Sequence, residues 1–210
     1  TSGMRDTQYL AVPADAEGLS IVGDWDPLGM RGTVSRNLLM KDVFISDEQE
    51  MMPAGVYYHA VTSWPHMFFT LTPTYMGIAE AAYAFTVQYL RGEVEGAPPV
   101  KRRMYPTKQI SVAQMFIQLE SMRAMFRRTI RAARFQPSKA DRLAAYAAQY
   151  SIMEGCNDIC RLAIRTCGGQ SMLKSLPLER LYRDSRCGSL MLPWTAELCL
   201  DRLGRETLYE

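Results

Sequence analysis

The apolar and polar positions of this chain change their period once. Up to about residue 55 the apolar residues come in short runs broken by turn formers. Tyr9 to Val12 reads as a strand, Leu19 to Val22 as a second, and Asn37 to Ile45 (NLLMKDVFI) as a third. The punctuation comes from Asp15 to Gly18 and from Asp26-Pro27, residue types that favour turns. About three strands cannot stand alone; they need more strands or a helical face.

From Trp64 onward the spacing is helical. Met76, Ile78, Ala79, Ala82, Phe85 and Tyr89 predict a helix over about 70–90. The segment GEVEGAPP at 92–99 predicts a loop. A second helix is expected from Thr107 or Lys108. Its apolar stripe is Val112, Met115, Phe116, Leu119, Met122, Phe126 and Ile130, with Arg123, Arg127, Arg128 and Arg131 off it. Ser138 with Asp141 three residues on predicts the cap of a third helix, which Gly168-Gly169 ends. A shorter helix is expected over Pro177 to Arg183. The last should begin near Pro193, because proline suits the first helical position, and should carry Leu198, Leu200 and Leu203. The predicted class is α+β but mainly α: a partial β-domain over 1–55, then an up-down four-helix-type bundle over 56–210.

Composition narrows the function. The chain has 24 basic and 22 acidic residues, a net charge of +2, which excludes the concentrated basic face of a dedicated nucleic-acid binder. No run approaches the roughly 20 apolar residues of a membrane span, and no secretory leader is visible. Five cysteines, an odd number without scaffold spacing, read as reduced buried thiols in a cytoplasmic protein. No metal set is expected, since His59 and His66 are far along the chain from the thiols. Residue 1 is Thr and the first strand has no preceding element, so the expectation is a piece of a longer protein.

No nucleophile–base motif is present. Lys101-Arg102-Arg103 precede a helix start, where a phosphate could bind; a solvated basic loop is the plainer reading. His66, beside Trp64-Pro65, reads either as a proton donor or as a hydrogen-bonded structural histidine. The methionines and phenylalanines of the second helix read as bundle core.

The order of segments then carries a resemblance. Trp25-Asp26-Pro27-Leu28-Gly29-Met30-Arg31-Gly32-Thr33, followed by Lys41-Asp42-Val43-Phe44-Ile45, looks like the later β-domain of the acyl-CoA dehydrogenase family, with its "D-x-LGMR-x-T … DVFVP" pattern. Gly77-Ile78-Ala79 resembles the "G-x-A" of that family's first C-domain helix. Arg103 with Gln114 resembles its "R-x-x-F-G … Q". Cys167-Gly168-Gly169 and the run Leu178 to Arg186 resemble "GG … P-x-x-R-x-Y-R-D-A-R". Thr195-Ala196-Glu197-Leu198 resembles the "T-S-E-I" after the family's catalytic loop.

The resemblance implies an FAD-dependent oxidoreductase of fatty acid metabolism that dehydrogenates an acyl-CoA or related acyl thioester. It implies a homodimer or homotetramer, or a mixed oligomer, with an electron-transfer flavoprotein as acceptor. Carried over residue by residue, Arg103 would meet the FAD pyrophosphate and Gln114 the adenine side. Arg165 stands where the family often has Gln. Gly168 and Gly169 would let backbone approach the nucleotide, and Thr195 and Glu197 would lie near its phosphates or ribose. The family's catalytic glutamate falls on Pro193 or Leu192, and its other location, before Gly77, holds Ser63-Trp64-Pro65-His66-Met67. Neither place has an acid, so either His66 or a partner subunit supplies the base, or the chain works as a flavin-dependent monooxygenase, which needs no α-proton base, or as a non-catalytic subunit.

Overall fold

The computed structural model describes residues 6–97, 99 and 101–209, and of Phe68 the backbone alone. The chain divides into two compact units, one reaching to Trp64 and one starting at Pro65. The sequence reading sets its boundary at 55/56; compactness sets it after the next helix.

In the first unit, β1 (Tyr9–Leu10) pairs antiparallel with β4 (Glu50–Met52), and β2 (Leu19–Val22) with β3 (Asn37–Met40). In the second ladder Leu19 lies opposite Met40 and Val22 opposite Asn37. The expected strand to Ile45 stops at Met40, because Asp42 takes φ 53° and reverses the chain. Lys41 N–H donates to the Gly18 carbonyl at 3.0 Å, and a Cβ on Gly18 (φ +84°) would run into the Lys41 carbonyl oxygen. That closure admits only glycine. The ladder β1–β4 joins residues some forty apart, which period alone cannot reveal. Helix α1 (Val56–Ser63) also belongs to this unit.

The second unit is a bundle. Helix α2 (Thr72–Arg91) ends at Gly92 in the left-handed conformation. Helix α3 (Pro106–Ala132) carries Pro106 at its start. Helix α4 (Lys139–Cys167) is capped by Ser138, whose hydroxyl accepts the Asp141 N–H at 3.1 Å. Helices α5 (Leu178–Ser185) and α6 (Ala196–Leu208) close it. The run of contacts fixes directions. Phe69 stacks on Phe126, Arg123 bonds Glu80, and Tyr83 meets Phe116, so α2 and α3 are antiparallel. Thr72 donates to Gln149 near mid-α4, and Tyr89 donates to Gln170 just past it, so α2 and α4 run the same way.

Helix α4 is the axis. Ala145, Tyr146, Ile152, Met153, Cys156, Ile159, Cys160 and Ala163 are all buried. The expected stripes hold with three corrections. Phe116 is half exposed, and Thr129 is buried where Ile130 was expected. On α6 the buried residues are Ala196, Cys199 and Glu206, and Leu200 is exposed. Proline 193 does not open that helix: Thr195 is the cap, its hydroxyl accepting the Leu198 N–H at 3.2 Å. A hydroxyl acceptor satisfies an orphan helix N–H, which proline's fixed φ cannot do.

Candidate functional site

The bundle has two chemically different ends. One gathers the C-terminus of α2, the N-terminus of α3 and the C-terminus of α4. There Lys108 Nζ donates to the Thr166 carbonyl at 2.5 Å. A cation at a helix C-terminus is favourable, since the last carbonyls lack partners. This bond ties the segment carrying Arg103 to the double glycine.

Two openings flank the first turns of α3, and Lys108 lines both. A polar groove of about 450 Å³ is lined by Thr107, Ser111, Gln114, Arg165 and Thr166 among others. On the opposite side of α3 lies an apolar cleft of about 380 Å³, and Arg103 lines that one. So the structure brings Gln114 and Arg165 together, and puts Arg103 across the helix from them. Gly168 takes φ +87°, and a Cβ on Gly168 or Gly169 would meet nothing within 4 Å. The backbone there is open to approach by a ligand. Arg102 lies 5.4 Å from the centre of the Tyr89 ring, a cation–π contact, and its Nη1 is buried without a hydrogen-bond partner among the described residues. The basic loop is therefore only partly solvated. Cys167 sits here too, and burial pushes its thiol up to about 11, so it is neutral at pH 7.

The polar groove suits a nucleotide phosphate. Two cations, three hydroxyls and an amide line it, and none of its lining residues is an acid. Such donors match phosphate oxygens.

At the other end lie His66, the start of α4 and the start of α6. Thr195 and Glu197 open α6 beside the cluster Tyr146–Trp194–Cys199. Along α4, Tyr146 and Arg165 are roughly 28 Å apart at ~1.5 Å per residue. Within one chain, then, Thr195 and Glu197 do not share a groove with Gln114, Arg165 and the glycines. Sequence order alone could not reveal this split.

The two candidate base positions both fall at this second end. Trp194 is 1% exposed, with its ring 4.9 Å from that of Tyr146. His66 is 6% exposed, and neither ring nitrogen has a hydrogen-bond partner among the described residues. Burial lowers its pKa, with Asp141 opposing. Two acids at this end are engaged, Asp141 accepting the Ser138 hydroxyl at 2.7 Å and Glu206 pairing with Arg142 at 3.0 Å, while Glu197 is exposed. Glu80, the first acid after Gly77, pairs with Arg123.

Burial of His66 makes the stability of the fold depend on pH. Its folded pKa lies below the unfolded value, so the unfolded chain binds the extra proton first. Stability is complete above about pH 6.5, the unfolded histidine value, and is lost as pH falls through it toward the folded pKa. Melting curves between pH 8 and pH 5 should therefore fall less steeply for His66→Phe than for the parent chain. Equal slopes would remove His66 as the cause.

Among the described residues no three of His, Cys, Asp and Glu converge as for a metal, and the five cysteines are free thiols. No helix among them is long and apolar enough to cross a membrane.

The second unit is thus a helical bundle with a polar groove free of acids at one end. The family model for the C-terminal domain of acyl-CoA dehydrogenases matches residues 69–190. The chain belongs to the acyl-CoA dehydrogenase family. It is 29% identical over 178 residues to the short-chain specific acyl-CoA dehydrogenase of Homo sapiens, covering 83% of this chain and 42% of that protein. It is 27% identical over 217 residues to the L-evernosamine nitrososynthase of a Micromonospora species, covering 95% of this chain and 50% of that one. The solved structure of FMN-bound TdsC from a Paenibacillus species superposes with a TM-score of 0.81 at 20% identity, covering 97% of this chain and 55% of that one. The chain spans about half the length of the curated relatives it matches.

Proposed function

We propose that this chain carries the C-terminal domain of an FAD-dependent monooxygenase built on the acyl-CoA dehydrogenase fold. One observation carries the reading. The two places where the family keeps its catalytic glutamate hold Leu192-Pro193 and Ser63 to Met67, with no carboxylate in either. Removing the α-proton of an acyl thioester needs a base there. Oxygen-dependent chemistry does not. The dibenzothiophene monooxygenase of a Paenibacillus species, which superposes with a TM-score of 0.79, shows that this fold serves such chemistry in another protein.

When bound, the flavin supplies two-electron redox chemistry. The chain's own part is to hold it. In this reading Lys108, Arg165 and the hydroxyls of Thr107 and Ser111 bind the nucleotide phosphates, and Gln114 bonds the base. Gly168 and Gly169 let the backbone come close. Thr195 and Glu197, at the far end of the bundle, reach a flavin only if a second copy supplies them, so the reading calls for a homodimer or homotetramer.

The second reading is α,β-dehydrogenation of an acyl-CoA with His66 as base and an electron-transfer flavoprotein as acceptor. What favours it is that burial keeps the His66 imidazole in its neutral, basic form. The test is made on the whole protein containing this chain. The first reading expects the reduced flavin to consume O₂ rapidly, with no bleaching by butyryl-CoA or octanoyl-CoA under anaerobic conditions. Thioester-dependent bleaching that His66→Gln abolishes would establish the second and overturn the first.

A further inference from the structure

The net charge of +2 hides an uneven distribution. Between Glu120 and Asp141 the chain carries five arginines and a lysine and no acid, a quarter of its 24 basic residues. Arg123 pairs with Glu80 and Glu120. The other four, Arg127, Arg128, Arg131 and Arg134, are exposed, and among the described residues none of them has an ion-pair partner. Arg134 caps α3, its Nη1 donating to the carbonyls of Arg131 at 3.1 Å and Ala133 at 2.8 Å. At about 100° per residue, Arg127, Arg128, Ile130 and Arg131 share one side of the helix, and the buried Met122 and Thr129 lie on the other. The helix dipole favours a cation in the last turn, which accounts for Arg131. It falls off within that turn and does not account for Arg127 and Arg128.

Apolar side chains are exposed beside these cations. Ile130 stands among them on α3, and Phe135, in the turn to α4, is 66% exposed. The ion pair of Arg142 with Glu206 brings the last turn of α6 to the first turn of α4. Leu208 and Tyr209, 75% and 83% exposed, therefore belong to the same end. Three acids near this end are engaged: Asp141 by Ser138, Glu206 by Arg142 and Asp201 by Arg205.

We propose that this end of the bundle docks on an anionic lipid surface. The arginines meet lipid phosphates, and Ile130, Phe135 and Tyr209 enter the boundary between headgroups and acyl chains. Charge complementarity sets the sign of the partner, since a cluster of roughly four to eight cations is what an anionic leaflet attracts. The exposed apolar side chains favour lipid over an acidic protein. Carboxylates would answer the guanidiniums and leave Phe135, Leu208 and Tyr209 in water. A lipid interface takes both kinds of side chain.

The test is co-sedimentation of the whole protein containing this chain with vesicles, either phosphatidylcholine alone or equal parts phosphatidylcholine and phosphatidylglycerol. Binding is expected to the mixed vesicles and not to phosphatidylcholine, and it should fall as salt is raised. Arg127→Gln with Arg131→Gln should weaken it about twentyfold or more, at roughly fivefold for each charge removed. Arg127→Lys with Arg131→Lys should keep most of it, because a lipid surface answers a point charge. Phe135→Ser with Tyr209→Ser should weaken it about tenfold. Flavin content and melting temperature should match the parent protein in all three variants, which separates docking from a structural part for these residues. The proposal is overturned if the mixed vesicles do not bind, if phosphatidylcholine alone binds equally well, or if the glutamine or serine variant binds as the parent does. A lysine variant as weak as the glutamine one, or capture on immobilised polyglutamate without vesicle binding, assigns the patch to an acidic protein and also overturns it. Should the glutamine variant not fold, the salt series on the parent protein decides: binding undiminished by high salt overturns the proposal.

Discussion

Replacing Trp194 by alanine is expected to lower the unfolding free energy by about 3–5 kcal/mol, the range for emptying a buried aromatic site. Trp194 is 1% exposed and packs against Tyr146, itself fully buried, and Cys199. Tyr150, Leu198 and Leu203 lean on the same cluster. The vacated volume lies where α6 meets α4, and α4 is the axis of the bundle, so little can collapse inward to fill it. Tyr146 shows the dryness of the place: burial pushes its hydroxyl up to about 12, and that hydroxyl has no hydrogen-bond partner among the described residues. Trp194→Phe keeps a ring on Tyr146 and should lose clearly less than the alanine variant. Urea unfolding of both variants measures this; a loss below about 1 kcal/mol for the alanine variant would mean that the indole is not structural. The residue also bears on activity. It follows Leu192 and Pro193, where the resemblance puts the family's catalytic base; Leu192 is exposed and the indole two residues on is buried.

Gly188→Ala is expected to cost about 1–3 kcal/mol, as overpacking a close-packed core does. A Cβ there would come within 2.7 Å of the Met153 sulfur and 2.8 Å of the Tyr75 ring. Methionine can move a little; the Tyr75 ring, 1% exposed, cannot. The contrasting substitution is Gly77→Ala. Gly77 is inside α2, and a Cβ there meets nothing within 4 Å. It should raise stability by about 0.5–1 kcal/mol, because glycine loses the most backbone freedom in a helix. Opposite signs for two Gly→Ala changes in one bundle separate space from conformational entropy. If Gly188→Ala melts with the parent chain, the close approach of α2, α4 and the 188–190 turn is wrong.

The helices were legible because their signals are local. Ser138 with Asp141, Gly92 and Gly168, and the stripe through Met115, Leu119 and Met122 each sit within a few turns of what they specify. The β portion was less so. Strand β4 pairs with β1 from across most of the unit, and β3 ends at a reversal set by Asp42 and Gly18, so the run Asn37 to Ile45 was over-read as one strand. Pro193 misled for a related reason: a proline permits a helix start, but the hydroxyl of Thr195 two residues on provides the acceptor. The same limit applied to the site. Gln114 and Arg165 could be named from a motif, but nothing in their spacing says that Arg103 turns to the other side of α3.

The sequence alone determined a short β portion, three long helices, the cap and stop of the third, and the family. Each is a matter of residue type at a local spacing. Only the tertiary structure decided which of the named residues share a surface. Helix α4 is long enough to hold its two ends apart, so the phosphate-suited groove by Gly168 and the packed segment by Trp194 occupy opposite ends of one bundle. Helix α3 stands between Arg103 and Gln114 and makes two clefts where the motif suggested one. Those separations come from helix length and from the direction of each side chain around the helix, quantities that a list of conserved-looking letters does not contain.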